Sequence, residues 1–286
     1  MKFTPILLAT SIAIASSYLF TSSSPAIANL VTLTNSSTPN LIAIHADEGG
    51  NLIPIQKNGK WGYVNSSTGQ ATKFLYDEAG YLNEGLAIVR IGAKYGFVNS
   101  DGKQVIPVKY DDVTYFDNGL SRVQLNKKYG FINQTGKFVT GFKYDEADVF
   151  YGTKAKLALV KRDGKYGFID LTGKEVIPLQ FTRSASFYDE DLTWVAVGDK
   201  YGYIDTTGKQ VIKPQFDDAE SFFENAARIK IGEKWGYIDR TGNQFIKPQF
   251  EEVADFKFGL AIVKLNGKSI YINKAGKTVW EDKNSR

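Results

Sequence analysis

Residues 232 to 242 read Gly-Glu-Lys-Trp-Gly-Tyr-Ile-Asp-Arg-Thr-Gly, a stretch in which alternate aromatic side chains lead into a glycine turn. Trp235 and Tyr237 share one face of an extended strand, because side chains alternate along a strand with a period of two. Gly242 can adopt the positive φ that a tight hairpin turn needs. The stretch therefore predicts a β-strand that enters a hairpin turn.

The same layout recurs along the chain every 34 to 37 residues. An aromatic residue directly before glycine marks six copies: Trp61, Tyr95, Tyr129, Tyr166, Tyr201 and Trp235. In a seventh copy Ser269 and Ile270 replace this dipeptide. A turn glycine follows each motif: Gly69, Gly102, Gly136, Gly173, Gly208, Gly242 and Gly276. Fixed-period similarity indicates a tandem array, in which each unit buries its apolar face against its neighbours.

Two further positions are apolar in six copies, 15 and 21 residues after the motif aromatic. The first set is Tyr76, Tyr110, Tyr144, Phe181, Phe216 and Phe250, and the second is Leu82, Phe116, Phe150, Phe187, Phe222 and Phe256. A packed core requires constant spacing, so these residues and the motif aromatics are assigned to structural packing. With the apolar segment that precedes the next motif, the pattern predicts a three-stranded antiparallel meander per repeat.

The pattern Gly-Lys-[Trp/Tyr]-Gly-[Phe/Tyr]-[Ile/Val]-[Asn/Asp], followed by Val-Ile-x-Pro and an aromatic-acidic step, resembles the WG (KWG) repeat proteins of bacteria. The resemblance covers about residues 51 to 281 and implies an exported or surface-linked scaffold without shared catalytic residues. The expected fold is an all-β array of about seven repeats, either an open solenoid or superhelix or a closed seven-bladed propeller-like ring. In a ring, residues 41 to 44 would supply a strand to the last blade.

Residues 1 to 28 have the pattern of a signal peptide, with Lys2, a short apolar run and small residues before a cleavage site after Ala28. We expect export to the periplasm, the cell surface or the exterior. No stable membrane span is expected after cleavage, because a spanning helix needs about 20 apolar residues. Residues 29 to 50 predict a flexible leader in which residues 41 to 44 could form a first strand. The repeat domain then occupies residues 51 to 281, before a tail at 282 to 286.

The composition excludes several classes of function. Thirty-five Lys and Arg residues nearly balance 31 Asp and Glu residues without a basic block, so nucleic acid is not an expected partner. The chain has no cysteine, which excludes thiol chemistry and cysteine metal sites. His45 is the only histidine, and neither a calcium loop nor a phosphate-binding glycine loop occurs. No cofactor or metal is therefore expected.

Acidic pairs recur directly after the second aromatic position: Asp77-Glu78, Asp111-Asp112, Asp145-Glu146, Asp217-Asp218 and Glu251-Glu252. Calcium binding and glycoside hydrolysis are alternatives, but a hydrolase needs two carboxylates in different environments. Capping or ion pairs with the repeat lysines explain the periodic placement. We expect a non-catalytic scaffold that binds a protein or a cell-envelope polysaccharide. The alternative is a propeller-type enzyme acting on carbohydrates or phosphoesters, with carboxylates converging on a central pocket.

Ligand recognition is expected from aromatic residues that the repeat does not fix. They lie in or near the longer connections, and loops along one edge of a repeat array commonly carry binding. These candidates are Tyr81, Tyr115, Tyr151, Tyr188, Trp194 and Phe223.

Overall fold

The structure, a computed structural model, describes residues 51–150, 154–188 and 190–281. All of them belong to one unit that begins at Ala46. The expected signal peptide, the leader with its first strand, Tyr151 and the C-terminal tail lie outside the described residues. The described residues form seven consecutive antiparallel sheets, which are numbered here in chain order.

Sheets 1 to 4 contain the first 14 strands. Sheet 1 is a hairpin of β1 (Leu52–Lys57) and β2 (Lys60–Asn65). Sheet 2 contains β3 (Glu78–Asn83), β4 (Leu86–Ile91), β5 (Lys94–Asn99) and β6 (Gln104–Tyr110). Sheet 3 contains β7 (Asp112–Val113), β8 (Leu120–Leu125), β9 (Lys128–Asn133) and β10 (Phe138–Tyr144). Sheet 4 contains β11 (Glu146–Ala147), β12 (Ala158–Arg162), β13 (Lys165–Ile169) and β14 (Glu175–Phe181).

Sheets 5 to 7 repeat the same strand order. Sheet 5 contains β15 (Arg183–Ser184), β16 (Leu192–Val197), β17 (Lys200–Asp205) and β18 (Gln210–Phe216). Sheet 6 contains β19 (Asp218–Ala219), β20 (Ala227–Ile231), β21 (Lys234–Ile238) and β22 (Ile246–Phe250). Sheet 7 contains β23 (Glu252–Val253), β24 (Leu260–Leu265), β25 (Lys268–Asn273) and β26 (Thr278–Glu281).

Sheets 2 to 7 have four strands each, whereas the repeat pattern predicts three. The additional strand comes first in each sheet and begins at the second residue of the acidic pair or at its counterpart. In sheets 3 to 7 it is two residues long; in sheet 7, for example, Glu252 and Val253 pair with Lys264 and Val263. Two residues are too few for a visible alternation of side chains, so only the pairing with the next strand reveals this element.

The glycine after the motif aromatic lies beneath a bulge of the partner strand. Trp235 pairs with Phe250 and Tyr237 pairs with Ile246, so a step of two residues along β21 matches a step of four along β22. A Cβ atom on Gly236 would lie 2.5 Å from the Ile246 carbonyl oxygen. The glycine is therefore a steric requirement, because the bulged backbone occupies the space of its side chain.

In the seventh copy the motif glycine and the bulge opposite it are both absent. Ile270 replaces the glycine, and Ile270 and Tyr271 pair directly with the consecutive residues Glu281 and Trp280. Here the partner strand has no extra residues opposite the isoleucine. The side chain and the bulge are thus alternatives at this position of the repeat.

The hairpin turn after the motif strand combines a side-chain acceptor with a glycine. The Asp239 Oδ1 atom accepts hydrogen bonds from the backbone N–H groups of Thr241 at 2.9 Å and Asn243 at 3.0 Å. Gly242 has a φ of +87°. The seven turn glycines all have φ between +71° and +87°, the left-handed region that the sequence pattern requires of them.

Hydrophobic cores lie between consecutive sheets. The second motif aromatic of one sheet contacts the aromatic 19 residues later in the next, with ring centroids 4.9 Å apart for Phe97 and Phe116 and 4.7 Å apart for Tyr237 and Phe256. The two apolar sets 15 and 21 residues after the motif aromatic are at most 7% exposed. The predicted assignment of these two sets to a packed core is confirmed.

The array is open within the described residues. Phe258 is 99% exposed and Trp280 is 54% exposed, so among these residues sheet 1 does not cover the outer face of sheet 7. In the same residues no helix has the length and hydropathy of a membrane span.

Candidate binding grooves

The first carboxylate of each acidic pair links two hairpins. Asp77 accepts hydrogen bonds from the Lys60 Nζ atom at 2.6 Å and from the backbone N–H of Gly92 at 2.6 Å. The equivalent carboxylates make the same pair of contacts: Asp111, Asp145 and Asp217. In the fourth copy Thr182 takes this position, and its hydroxyl donates to the Gly198 carbonyl oxygen at 2.7 Å. The acidic pairs therefore contain structural ion pairs.

These contacts predict an acid-sensitive fold. The lysine and backbone donors hold the pKa of Asp111 below its ordinary value, and the same holds for Asp77, Asp145 and Asp217. A pKa lowered in the folded state stabilises the fold above about pH 4, and this contribution is lost as the pH falls further. We expect Asp111→Asn to lower the urea midpoint of unfolding at pH 7. Between pH 5 and pH 3 the urea midpoint of the variant should fall less than that of the wild type. Parallel pH profiles of the variant and the wild type would contradict this.

Two grooves cross the edges of sheets 2 and 4, at the first strand of each sheet. Groove 1 has a volume of about 400 Å³ and is lined by Trp61, Glu78, Ala79, Gly80, Ile88, Arg90, Tyr95 and Tyr115. Groove 2 has a volume of about 250 Å³ and is lined by Tyr129, Glu146, Ala147, Asp148, Leu159, Val160, Lys161 and Tyr166. Nearly all lining residues occupy the same repeat positions in both grooves. Motif aromatics of two consecutive sheets form the walls, and an aliphatic residue forms the floor.

The floor residue explains why these two sheets carry open grooves. It lies seven residues before the motif aromatic and is Ile88 in groove 1 and Leu159 in groove 2. In sheet 3 the same position is Arg122, whose guanidinium lies 5.1 Å from the centroid of the Tyr129 ring. Arg122 also donates to the Ala147 carbonyl oxygen of the next sheet at 2.8 Å. The long side chain covers the surface that an aliphatic residue leaves free.

Sheets 5 and 6 carry large residues at the floor position as well. Trp194 packs on Tyr201 with ring centroids 5.4 Å apart. The Arg228 Nε atom lies 2.7 Å from the Asp255 Oδ1 atom, and its guanidinium donates to the Val253 carbonyl oxygen at 3.2 Å. In sheets 2 to 6 this variable position thus decides whether a sheet edge is open or covered. In sheet 7 Ile262 also leaves the edge open, but Ser269 replaces the motif aromatic that forms a wall of the other two grooves.

Ion pairs form the rim of both grooves. Arg90 donates to Glu78 at 2.5 Å, and Glu146 accepts hydrogen bonds from Lys161 at 2.7 Å and from the Tyr166 hydroxyl at 3.0 Å. These donors hold the pKa of Glu78 and of Glu146 below the ordinary value. Both carboxylates are therefore ionised at neutral pH, whereas a catalytic general acid needs a raised pKa. The rim presents charged donors and acceptors beside aromatic walls.

The motif aromatics, which the sequence assigns to packing, lie partly in the groove walls. Most of them are half-buried, namely Trp61, Tyr95, Tyr129, Tyr166 and Trp235, and Tyr201 is buried beneath Trp194. The exchange of Trp and Tyr between copies favours a role in packing alone. The structure adds a second role for those that line a groove. The overlooked signal is the variable floor position: Ile88, Arg122, Leu159, Trp194, Arg228 and Ile262.

The predicted ligand-binding aromatics are distributed over different environments. Tyr115 lines groove 1, and Tyr81 lies on β3 directly after Gly80 of that groove. Trp194 covers a sheet edge and packs on Tyr201. Tyr188 and Phe223 are half-exposed, and neither lines either groove. The structure thus brings one of the described candidates, Tyr115, into a groove.

The enzyme alternative requires carboxylates from several repeats to converge. Each of the five acidic pairs lies at the start of a different sheet, and Asp77 and its equivalents are bound to lysines. Across residues 51–150, 154–188 and 190–281 no cluster of three or more His, Cys, Asp or Glu side chains is placed to hold a metal ion.

Solved structures with a similar course of the chain include a eukaryotic initiation factor, with 11% identity, 80% of this chain and 73% of that chain covered, and a TM-score of 0.47. PorZ, a surface component of the type-IX secretion system of Porphyromonas gingivalis, is 8% identical, with 83% and 39% coverage and a TM-score of 0.32. Hsv2p of Kluyveromyces lactis is 8% identical, with 78% and 89% coverage and a TM-score of 0.38. No curated protein sequence matches the chain.

The repeat itself has a direct match. The family described as "WG containing repeat" matches six consecutive segments: 61–95, 95–129, 129–166, 166–201, 201–235 and 235–268. Together they cover well over half of the 286 residues. The segments meet at the motif aromatics, and three of these, Tyr95, Tyr129 and Tyr166, also line the grooves. The chain therefore belongs to the family of WG-containing repeat proteins.

Proposed function

We propose that this protein is a non-catalytic binding scaffold whose two grooves hold segments of a cell-envelope polysaccharide. The observation that carries the proposal is the pair of equivalent grooves, each with aromatic walls, an aliphatic floor and an ion-paired rim. Ligand sites are typically concave and apolar, with a small number of polar groups that fix orientation.

The chemistry of the grooves matches that of a sugar ring. A pyranose has C–H groups on its faces and hydroxyl groups around its edge. Tyr and Trp side chains such as Tyr95 and Trp61 can cover the faces, because an aromatic ring offers a large apolar surface. Arg90 and Glu78 at the rim can donate to and accept from hydroxyl groups. Groove 2 offers the same combination through Tyr166, Lys161 and Glu146.

The repetition favours a polymer as the ligand. The grooves lie on sheets 2 and 4, with the covered edge of sheet 3 between them. A chain of repeating sugars can enter both grooves at once, and the second contact then forms at a high effective concentration. Weak single sites can therefore produce firm retention on a polymer.

Two further properties belong to this proposal. Export is supported by the signal-peptide pattern of residues 1 to 28 and would place the protein where such polymers occur. Mass spectrometry of the intact protein tests export, because cleavage of the signal peptide predicts a chain that begins at Asn29. An uncleaved chain would contradict export. The absence of catalysis is supported by the lowered pKa values of Glu78 and Glu146 and by the separate placement of the acidic pairs.

Co-sedimentation of residues 29–286 with purified cell-wall polysaccharide tests the binding directly. Tyr115→Ala removes an aromatic ring that lines groove 1. We expect about fivefold weaker binding, because a stacked aromatic contact contributes about 1 kcal/mol. Phe223→Ala is the matched control, since Phe223 and Tyr115 are both 52% exposed and Phe223 lies outside the groove linings. No co-sedimentation, or equal loss in both variants, would refute the proposal and leave a protein ligand as the alternative.

A further inference from the structure

The last sheet ends the array with an apolar face. This C-terminal face consists of Phe258, Leu260, Ile262, Tyr271 and Trp280. Phe258 is 99% exposed and Trp280 is 54% exposed, and Trp280 packs on Tyr271 with ring centroids 5.5 Å apart. Terminal units of repeat proteins need a polar outer face to stay soluble as monomers. An exposed apolar face of this kind indicates an interaction surface.

The counterparts of this face are buried in the preceding sheets. The residues at the position of Leu260 are at most 8% exposed: Leu86, Leu120, Leu157, Leu192 and Ala226. Those at the position of Tyr271 are at most 1% exposed: Phe97, Phe131, Phe168, Tyr203 and Tyr237. Each of these positions packs against the following sheet. The C-terminal face thus corresponds to the sheet-binding surface of the preceding sheets, and no sheet covers it among the described residues.

A second contact recurs at every junction between sheets. A Cβ atom on the turn glycine Gly242 would lie 3.2 Å from Ile212 of the preceding sheet. Side chains at the position of Ile212 pack in the same way on the other turn glycines, in the pairs Thr72 with Gly102, Ile106 with Gly136, Thr140 with Gly173, Ile177 with Gly208 and Ile246 with Gly276. Every internal junction is therefore marked by one such pair.

One further side chain at the position of Ile212 lies at one end of the array, and one further turn glycine lies at the other end. Trp280 occupies the position of Ile246 in sheet 7, where no further sheet follows among the described residues. Gly69 is the turn glycine of sheet 1, and within the described part of the chain no heavy atom lies within 4 Å of a Cβ built there.

Sheet 1 also presents an apolar surface on the side of Gly69. Ile53, Ile55 and Val64 are half-buried there. Their counterparts in sheet 2 are completely buried against sheet 1: Ala87, Val89 and Val98. Sheet 1 thus offers the kind of surface that a preceding sheet covers elsewhere in the chain.

We infer that the C-terminal face of one copy of this protein docks on sheet 1 of a second copy. Trp280 then packs on Gly69 of the other copy, and the contact repeats the junction found between sheets inside the chain. The two surfaces differ, so the interface is heterologous, and a dimer still has one free surface at each end. Assembly therefore continues beyond the dimer or closes as a ring of several copies. This self-association is independent of ligand binding in the grooves.

Sedimentation velocity of residues 29–286 over a range of concentrations tests the inference. We expect the wild-type mass to rise beyond that of a dimer. Trp280→Glu and Ile55→Glu each place a charge on one of the two surfaces, and each variant alone should be monomeric, with a weakening of about a hundredfold or more. An equimolar mixture should form dimers and stop there, because each variant retains the surface that the other lacks. Val211→Glu, at an exposed position of β18, is the control and should assemble like the wild type.

Two results would overturn the inference. A wild type that is monomeric at all concentrations would show that the two surfaces do not bind another copy. Dimers of Ile55→Glu alone would show that two C-terminal faces meet symmetrically. Circular dichroism of each variant separates a loss of assembly from a loss of fold.

Discussion

Gly236→Ala should lower the free energy of unfolding by about 3 kcal/mol or more. An added Cβ atom would lie 2.5 Å from the Ile246 carbonyl oxygen and 2.6 Å from the Pro248 nitrogen. Both are backbone atoms of the bulged strand β22, so neither can move away by a change of rotamer. The bulge of sheet 6 must be lost to accept the methyl group. Urea denaturation followed by circular dichroism measures the effect.

Gly141→Ala is the matched control. Gly141 also lies in a bulged strand, β10, but a Cβ atom there meets no heavy atom within 4 Å, and its φ lies outside the left-handed region. At such a site alanine changes stability by only about 0.5 to 1 kcal/mol, in the stabilising direction. Similar unfolding midpoints for the two variants would contradict the steric role assigned to the motif glycine.

Ile88→Arg should weaken binding of the polysaccharide by about tenfold or more, because the protein then holds the polymer by one groove instead of two. Arg122 shows how an arginine lies at this position, over the motif tyrosine and bonded to a carbonyl oxygen of the next sheet. The corresponding groups around residue 88 are Tyr95 and the Val113 carbonyl oxygen. The substitution should therefore cover groove 1 while the sheet remains folded.

Biolayer interferometry with immobilised protein and soluble polymer measures this loss. An unchanged melting temperature of Ile88→Arg would confirm that the fold is intact, as expected from the arginines at 122 and 228 in the wild type. Val211→Arg, at an exposed apolar position on β18, controls for the added charge. Wild-type affinity in Ile88→Arg would exclude groove 1 from the binding site.

Much of the fold follows from the sequence because its causes are local. Strand alternation, the turn glycines and the constant spacing of residues such as Phe116 and Phe222 all depend on neighbours within one repeat. The fourth strand does not follow in this way, because two residues such as Asp218 and Ala219 show no periodicity. The choice between ring and open array depends on contacts between the first and last sheets. The sequence pattern of a single repeat does not predict these contacts.

The grooves could be predicted only in part. The aromatic walls are visible as the motif itself, and Tyr115 is among the aromatics predicted to contact a ligand. The openness of a groove depends on the size of one side chain, Ile88 or Arg122, at a position that the repeat leaves variable. The effect of this side chain can be seen only in the folded structure, where it lies beside the edge of the adjacent sheet. The role of the motif glycine required the same information, since the bulge above Gly236 belongs to the partner strand.

The most direct test of the binding account is the number of sites for a short oligosaccharide of the same polymer, measured by isothermal titration calorimetry. A ligand too short to span both grooves reports each groove separately. The account predicts two sites per chain in the wild type and one in Ile88→Arg, with the affinity of the remaining site unchanged. The same number of sites in both proteins would contradict the assignment of binding to the grooves.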